Sequence, residues 1–295
     1  MAWLGGIGMP SLLASRLANR GAFGRVFRER LSEPLHLNVA SAFVAMLGDH
    51  RAKVYWDLKF RQYTAFCLLD AAERAADLGI KRISAIEFGV ASGAGLLNIC
   101  EQAAETTKVT GVEFEIYGFD TGAGLPPPRD YRDHPELYQA GDYPMNVEGL
   151  RSRLPANAKL VLGDIKETVP KFLQEAGHAP LGYVALDVDY YWSAVEALNI
   201  FTGPADQYLP FVNLYLDDSH DPHHNPACGE ILACNEFNER EPLRKIYPYT
   251  ALRDKRLFKN AAWISKIWAV HIFDHKTRVE GIGRVEKKTI ENPFV

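Results

Sequence analysis

The chain has 295 residues, 47% of them hydrophobic and 24% charged, with 23 glycines and 17 prolines. These fractions exclude a disordered, collagenous or fibrous chain, and at this length about 75% of the extended surface can be hidden without a disulfide or metal staple. Lys plus Arg number 33 against 37 for Asp plus Glu, a net charge of −4, so no overall basic surface invites nucleic acid.

The four cysteines, Cys67, Cys100, Cys228 and Cys234, form no disulfide pattern. Cys67 and Cys100 fall in apolar helical stretches and read as buried free thiols. No run reaches 18 apolar residues, so no membrane span is expected. Residues 1–28 carry Arg16, Arg20, Arg25 and Arg28 and no acid. That composition suits a transit peptide, a membrane-surface helix or a plain N-terminal arm; the expectation is the arm, and a cytoplasmic protein.

In chain order, Val39, Phe43, Met46 and Leu47 follow helical spacing. A second helix is predicted over 58–78 with Phe66, Leu69, Ala72 and Ala76 inward, and Gly79 stops it because glycine tolerates a left-handed turn. Residues 1–79 read as an arm and helical cap, whose exposed helices are a candidate homodimer surface; residues 80–295 read as the main domain. Strands are predicted over 83–88, 114–119, 159–162, 183–186 and 211–216. Helices follow from Gly93 to about Glu105, then over 166–176, 192–201 and 229–240. Strands alternating with helices imply parallel pairing and right-handed crossovers, an α/β doubly wound sheet. Residues 121–150, with Pro126, Pro127, Pro128, Gly141 and Pro144, form a long connection of the kind that serves as a lid. The aromatic run 262–273 has no crossover helix after it and predicts a terminal antiparallel strand pair.

Ligands of open α/β sheets bind beyond the carboxyl ends of the strands. Acids stand at or beside nearly every such end: Glu87, Asp120, Asp164, Asp187, Asp217 and Asp218. Helix capping explains single acids. It does not explain Asp187-x-Asp189 or Asp217-Asp218, where like charges repel unless a cation or proton lies between them. In the first turn, Glu87 to Gly95, the glycine offsets counted from Gly89 are 0, 4 and 6. They miss the Gly-x-Gly-x-x-Gly dinucleotide signature and match acid-x-Gly-x-x-x-Gly. Asp120 would accept hydrogen bonds from ribose hydroxyls, and Asp164 would lie by an adenine edge. This trio resembles the cofactor site of class I S-adenosylmethionine-dependent methyltransferases.

The resemblance narrows along the chain. Phe119-Asp120-Thr121-Gly122-Ala123-Gly124-Leu125-Pro126 resembles the Phe-Asp-Ser-Phe-x-Gly-Leu-Pro segment of the macrocin O-methyltransferase-like family. Gly141-Asp142-Tyr143, the stretch from Gly163 to Pro170, Leu186-Asp187-Val188-Asp189-Tyr190-Tyr191 and Leu216-Asp217-Asp218 are similar to its later motifs, in order, over about 83–240. The fold implied is a mostly parallel seven-stranded Rossmann-like sheet. The function implied is Mg²⁺-dependent methyl transfer to a hydroxyl of a sugar or natural-product scaffold. Carried over, the cofactor residues are Glu87, Gly89, Ser92, Gly93, Asp120, Thr121, Asp164 and Ile165, and the metal ligands are Asp187, Asp217 and Asp218. A metal-bound hydroxyl loses its proton more easily, with Asp187 or Asp189 as acceptor.

Ser219-His220 departs from the family, which has an aromatic after the Asp pair. His220 is a candidate general base or substrate contact. His223 and His224 read as a solvated loop, and a zinc site from these histidines with Cys228 and Cys234 matches no standard spacing. Tyr190-Tyr191-Trp192 reads as substrate wall or core. The competing functions are metal-independent methyl transfer, a nicotinamide-dependent oxidoreductase, which the glycine spacing disfavours, and a non-enzymatic binding module, which retention of Asp187, Asp189, Asp217 and Asp218 disfavours.

Overall fold

In the computed structural model, which describes residues 28–175, 177–220, 223 and 225–280, the apolar runs become the strands of one sheet. They are β1 (Arg82–Phe88), β2 (Glu113–Asp120), β3 (Ala158–Leu162), β4 (Leu181–Leu186), β5 (Tyr208–Leu216), β6 (Arg244–Pro248) and β7 (Ile267–Ile272). The strand order is β3-β2-β1-β4-β5-β7-β6. The first five strands are parallel, and β7 runs antiparallel between β5 and β6. The fold is thus α/β, a doubly wound, mostly parallel seven-stranded sheet with an antiparallel end.

The helices are α1 (Leu35–Leu47), α2 (His50–Tyr55), α3 (Gln62–Asp77), α4 (Ala94–Thr110), α5 (Val147–Arg151), α6 (Ile165–Gln174), α7 (Tyr191–Leu198), α8 (Gly229–Arg240), α9 (Leu252–Lys255) and α10 (Lys276–Val279). Every residue of β4 is buried, as a central strand covered on both faces requires. Alternation along the strands splits the core in two. Ile83, Ala85, Tyr183 and Ala185 pack with Phe66, Leu69 and Ala72 of α3 and with α4. Ile86, Phe88, Val184 and Leu186 pack with Phe172, Ala194 and Phe237 of α6, α7 and α8.

Several expectations change. The helix predicted over 58–78 starts only at Gln62, because Arg61 takes a left-handed backbone (φ 48°) immediately before α3, and a separate helix, α2, precedes it. Asp49 caps the earlier one, accepting from Ala52 N at 2.8 Å. On α3 the buried alanine is Ala75, and Ala76 is exposed. Helix α3 itself, read as part of the cap, lies on the sheet: Asn213 of β5 donates to Cys67 O at 3.0 Å and to Asp70 at 2.9 Å. The spacing of Val39, Phe43, Met46 and Leu47 does make a helix, but α1 leaves all four exposed. Finally, the run 262–273 begins as a 3-10 turn, Ala262–Lys266, and only then enters β7.

Gly79 ends α3 as expected, with φ 73° and the Ile80 amide returning to Ala75 O at 2.8 Å. Residues 121–150 carry only a 3-10 turn (Tyr131–Asp133) and α5. The targeting question concerns residues 1–28, of which 1–27 lie outside the described residues. Among the described residues no helix is long and apolar enough to cross a membrane.

His50 opens α2, is buried, and meets Thr106 Oγ1 at 3.1 Å. Burial, aided by Lys59, lowers its pKa from 6.5 to about 4. The folded chain therefore refuses a proton that the unfolded chain takes up. This contribution to stability is full above pH 6.5 and is lost as pH falls toward about 4. Denaturant midpoints of His50→Gln should fall less steeply over that interval than those of the wild type. An unchanged slope would assign the acid limb to other groups.

Candidate functional site

The parallel strands end at one edge, and the sequence-predicted residues divide there into two neighbouring groups. The first lies beyond β1, β2 and β3. Gly89 and Gly93 both have positive φ, 83° and 85°, and Ala91 between them has φ 48°. Asp120, the last residue of β2, fixes this turn. Its Oδ2 accepts from the amides of Val90 (2.8 Å) and Ala91 (2.9 Å), and its Oδ1 from Gly122 N (2.7 Å).

The glycines have a reason the sequence did not reveal. A Cβ on Gly89 would lie 1.7 Å from the Asp187 carbonyl oxygen, and one on Gly95 would lie 1.8 Å from Glu87 Oε1. Both therefore make room for the protein itself. Glu87 is buried, and Gly95 is what admits its carboxylate under the first turn of α4. Ser92 is exposed on the turn, and Gly93 caps α4.

Three other expected cofactor residues serve local structure. Thr121 Oγ1 donates to Gly124 O at 2.8 Å and accepts from Ala123 N at 3.1 Å. Asp164 caps α6, accepting from Lys166 N at 2.9 Å, and is exposed. Ile165 opens that helix and packs against the half of the core that holds Phe88 and Phe172. All of them border the same edge, since β1, β2 and β3 are adjacent.

The second group gathers Asp187, Asp189, Asp217 and Asp218 at the ends of β4 and β5. Burial first, then the charges of Asp217, Asp189 and Asp218, pushes the Asp187 carboxyl well above the usual range, with Arg61 opposing. Glu87 is raised in the same way by burial and by Asp187. Burial raises Asp189 to about 6 against a hydrogen bond from Tyr138 of the 121–150 segment. Asp189 also has φ 53°, and the Tyr190 amide closes back on Val188 O around it. A non-glycine residue held there stores roughly 1–3 kcal/mol, as functional turns often do.

Several participants escaped the sequence reading. Glu230, in the first turn of α8, is fully buried; its Oε2 accepts from Asp218 N at 3.1 Å, and burial with Asp218 and Asp187 raises its pKa well above the usual range. Arg61 donates to Tyr63 O–H at 3.0 Å, and Tyr63 stacks on Tyr215 at 3.9 Å. Tyr215 O–H donates to Asp217 Oδ1, and Lys266 Nζ donates to the same oxygen at 3.0 Å. Glu230 had a visible signal, an acid just after Gly229 at the start of a helix. Lys266 had none, because a continuous strand was expected around it.

The expected metal triad is only partly assembled. Asp187, Asp217 and Asp218 are hard oxygen donors suited to Mg²⁺, and they are near enough to repel one another. Yet among the described residues no group of three or more His, Cys, Asp or Glu side chains is arranged to hold a metal ion. Asp217 Oδ1 instead receives an ammonium and a phenol. The zinc alternative also fails among the described residues: Cys234 is fully buried, while His220 and His223 are exposed. His224 lies outside them.

The 121–150 segment is docked beside this group. Asp133, fully buried, accepts from Arg129 N (2.8 Å) and from Trp192 N (3.2 Å) at the start of α7. Arg132 lies over Tyr191 at 4.4 Å and over Trp192 at 4.6 Å. Tyr190 and Tyr191 are buried, so this aromatic trio is core and lid seat. Tyr55 and Lys59 have the Tyr-x-x-x-Lys spacing of some oxidoreductases, but Tyr55 O–H donates to Glu73, three turns along α3 from Arg61. A cavity of about 430 Å³, lined by Glu113, Glu115, Asn157, Lys159 and His178, lies at the opposite end of β2 and β3.

No protein-family model matches the sequence, and no curated protein matches it. Among solved structures, the chain is similar to the calicheamicin methyltransferase CalS11, at 23% identity over 63% of this chain and 76% of that one, with a TM-score of 0.47. It is similar to the O-methyltransferase TomG of Streptomyces achromogenes, involved in tomaymycin synthesis and solved with SAM, at 13% identity over 80% and 95% of the two chains, TM-score 0.38. It is also similar to the plantazolicin methyltransferase BpumL, solved with SAH, at 13% identity over 80% and 96%, TM-score 0.30.

Two substitutions test the turn. Gly95→Ala should destabilise the fold by roughly 1–3 kcal/mol, because Glu87 is buried and cannot swing aside. Asp120→Ala removes the acceptor of three amides and should cost roughly 2–3 kcal/mol. Urea unfolding measures both, and wild-type midpoints would contradict the packing described.

Proposed function

We propose that the protein is an S-adenosylmethionine-dependent methyltransferase acting on a hydroxyl of a small molecule such as a sugar or natural-product scaffold. The observation that carries the reading is the 89–93 turn, clamped by Asp120 from the adjacent strand and set beside a separate acid cluster on the same edge. Asp120 Oδ1, which accepts from a single amide, keeps a further lone pair for a ribose hydroxyl. The start of α4 presents backbone amides toward that position, and Asp164 with Ile165 borders the adenine side.

The acid cluster supplies the chemistry. The acceptor hydroxyl gives its proton to a carboxylate as its oxygen forms a bond to the methyl carbon. The carbon–sulfur bond breaks, and S-adenosylhomocysteine leaves as a neutral thioether. Asp189, with a pKa of about 6, is ionised at pH 7 yet more basic than an ordinary carboxylate, which suits it to take that proton; Asp187 is the second candidate. We assign exposed His220 to acceptor contact at the rim. The docked 121–150 segment, through Tyr138, orients Asp189 and limits water. Much of the rate then comes from alignment of oxygen, carbon and sulfur.

Mg²⁺ is the finer part of the reading. Asp187, Asp217 and Asp218 would hold it, and bound there it would lend positive charge to the acceptor oxygen. Lys266 would first have to leave Asp217.

Calorimetric titration with S-adenosylhomocysteine tests the proposal. One site of micromolar affinity is expected, weakened at least about tenfold in Asp120→Ala. Asp189→Asn, in the other group, should stay within about twofold of wild type. Binding of a nicotinamide dinucleotide in place of S-adenosylhomocysteine would overturn the assignment.

A further inference from the structure

The antiparallel course of β7 puts its first residues at the edge where β5 ends: Tyr215 pairs with Ile267. The 3-10 turn Ala262–Lys266 thereby carries Lys266 to the acid cluster from the opposite direction to every parallel strand. Its ammonium donates to Asp217 Oδ1 at 3.0 Å and also to the Asp217 backbone carbonyl. Tyr215 O–H donates to the same carboxylate. The Lys266 and Asp217 side chains are 28% and 38% exposed, so the pair is partly withdrawn from water. Nearby, Glu230 is fully buried with its Oε1 meeting no donor among the described residues. Among the described residues Lys266 is the ammonium that reaches Asp217.

We propose that Lys266 is the resident cation of this edge, and that it competes with a divalent cation for the Asp217 carboxylate. A lysine ammonium is a compact point charge with three donors on a flexible stem. It can neutralise Asp217 and fix its orientation through two bonds to one residue, and it can withdraw without moving β7. A divalent ion needs the same carboxylate free of that ammonium. Lys266 is thus a positioning residue, and it sets how readily the cluster takes a metal. The proposal deepens the methyltransferase reading, because these acids are the donors named there for Mg²⁺.

The test is calorimetric titration of the full chain with Mg²⁺ alone, at neutral pH. Lys266→Met keeps the apolar stem, and Lys266→Gln keeps a hydrogen-bond donor without the charge. Both should bind Mg²⁺ roughly ten- to a hundredfold more tightly than wild type, the fold-change that matches loss of one charge-assisted hydrogen bond. Lys266→Arg, which retains the charge, should not gain. Adding Asp217→Asn to Lys266→Met should abolish the gain. Magnesium affinity that is unchanged in Lys266→Met and Lys266→Gln, or absent from both, overturns the proposal. Should neither variant fold, reductive methylation of Lys266 in the wild type supplies the answer. Saturating Mg²⁺ should speed its labelling, and an unchanged rate overturns the competition. Because S-adenosylhomocysteine takes no part in these measurements, the proposal fails separately from the cofactor assignment.

Discussion

Glu87, Asp187, Asp189, Asp217, Asp218 and Glu230 gather at the carboxyl ends of parallel strands, several of them buried. Carboxylates taken from water and set beside one another raise each other's free energy. The surrounding structure can be understood as the set of means by which this crowd is tolerated. Arg61 opposes the charges of Glu87 and Asp187 from the start of α3. Lys266 binds Asp217 from the start of β7. Backbone amides satisfy Asp120 and one oxygen of Glu230, and Tyr138 reaches Asp189 from the 121–150 segment. The two cationic partners come from opposite ends of the chain, so neither is legible from the motifs around the acids.

The same constraint links packing to chemistry. Gly89 and Gly95 are required because Asp187's backbone and Glu87's side chain occupy the space that a methyl group would need. A turn that reads as a ligand cradle is, in its first layer, a cradle for the protein's own acid. Asp120 in turn holds the amides of Val90 and Ala91 over that first layer. The left-handed backbone of Asp189 and the buried anchor Asp133 likewise hold polar groups in place beside the acid cluster.

Much was present in the sequence. The five apolar runs, each closing on or beside an acid, determined the parallel sheet and placed Glu87, Asp120, Asp187, Asp217 and Asp218 at one edge, because side chains at the carboxyl ends of parallel strands must share it. The left-handed stop at Gly79 and the helix over 229–240 were equally local, fixed by glycine's conformational range and by periodicity. What only the tertiary structure decided was pairing across distance. The left-handed break at Arg61, the burial of Glu230, the exposure of the α1 stripe and the arrival of Lys266 at Asp217 depend on which surfaces meet, and composition and spacing do not encode that. For Lys266 the reason is topological: a strand that runs antiparallel begins where its neighbours end, and an antiparallel partner brings distant sequence to the functional edge.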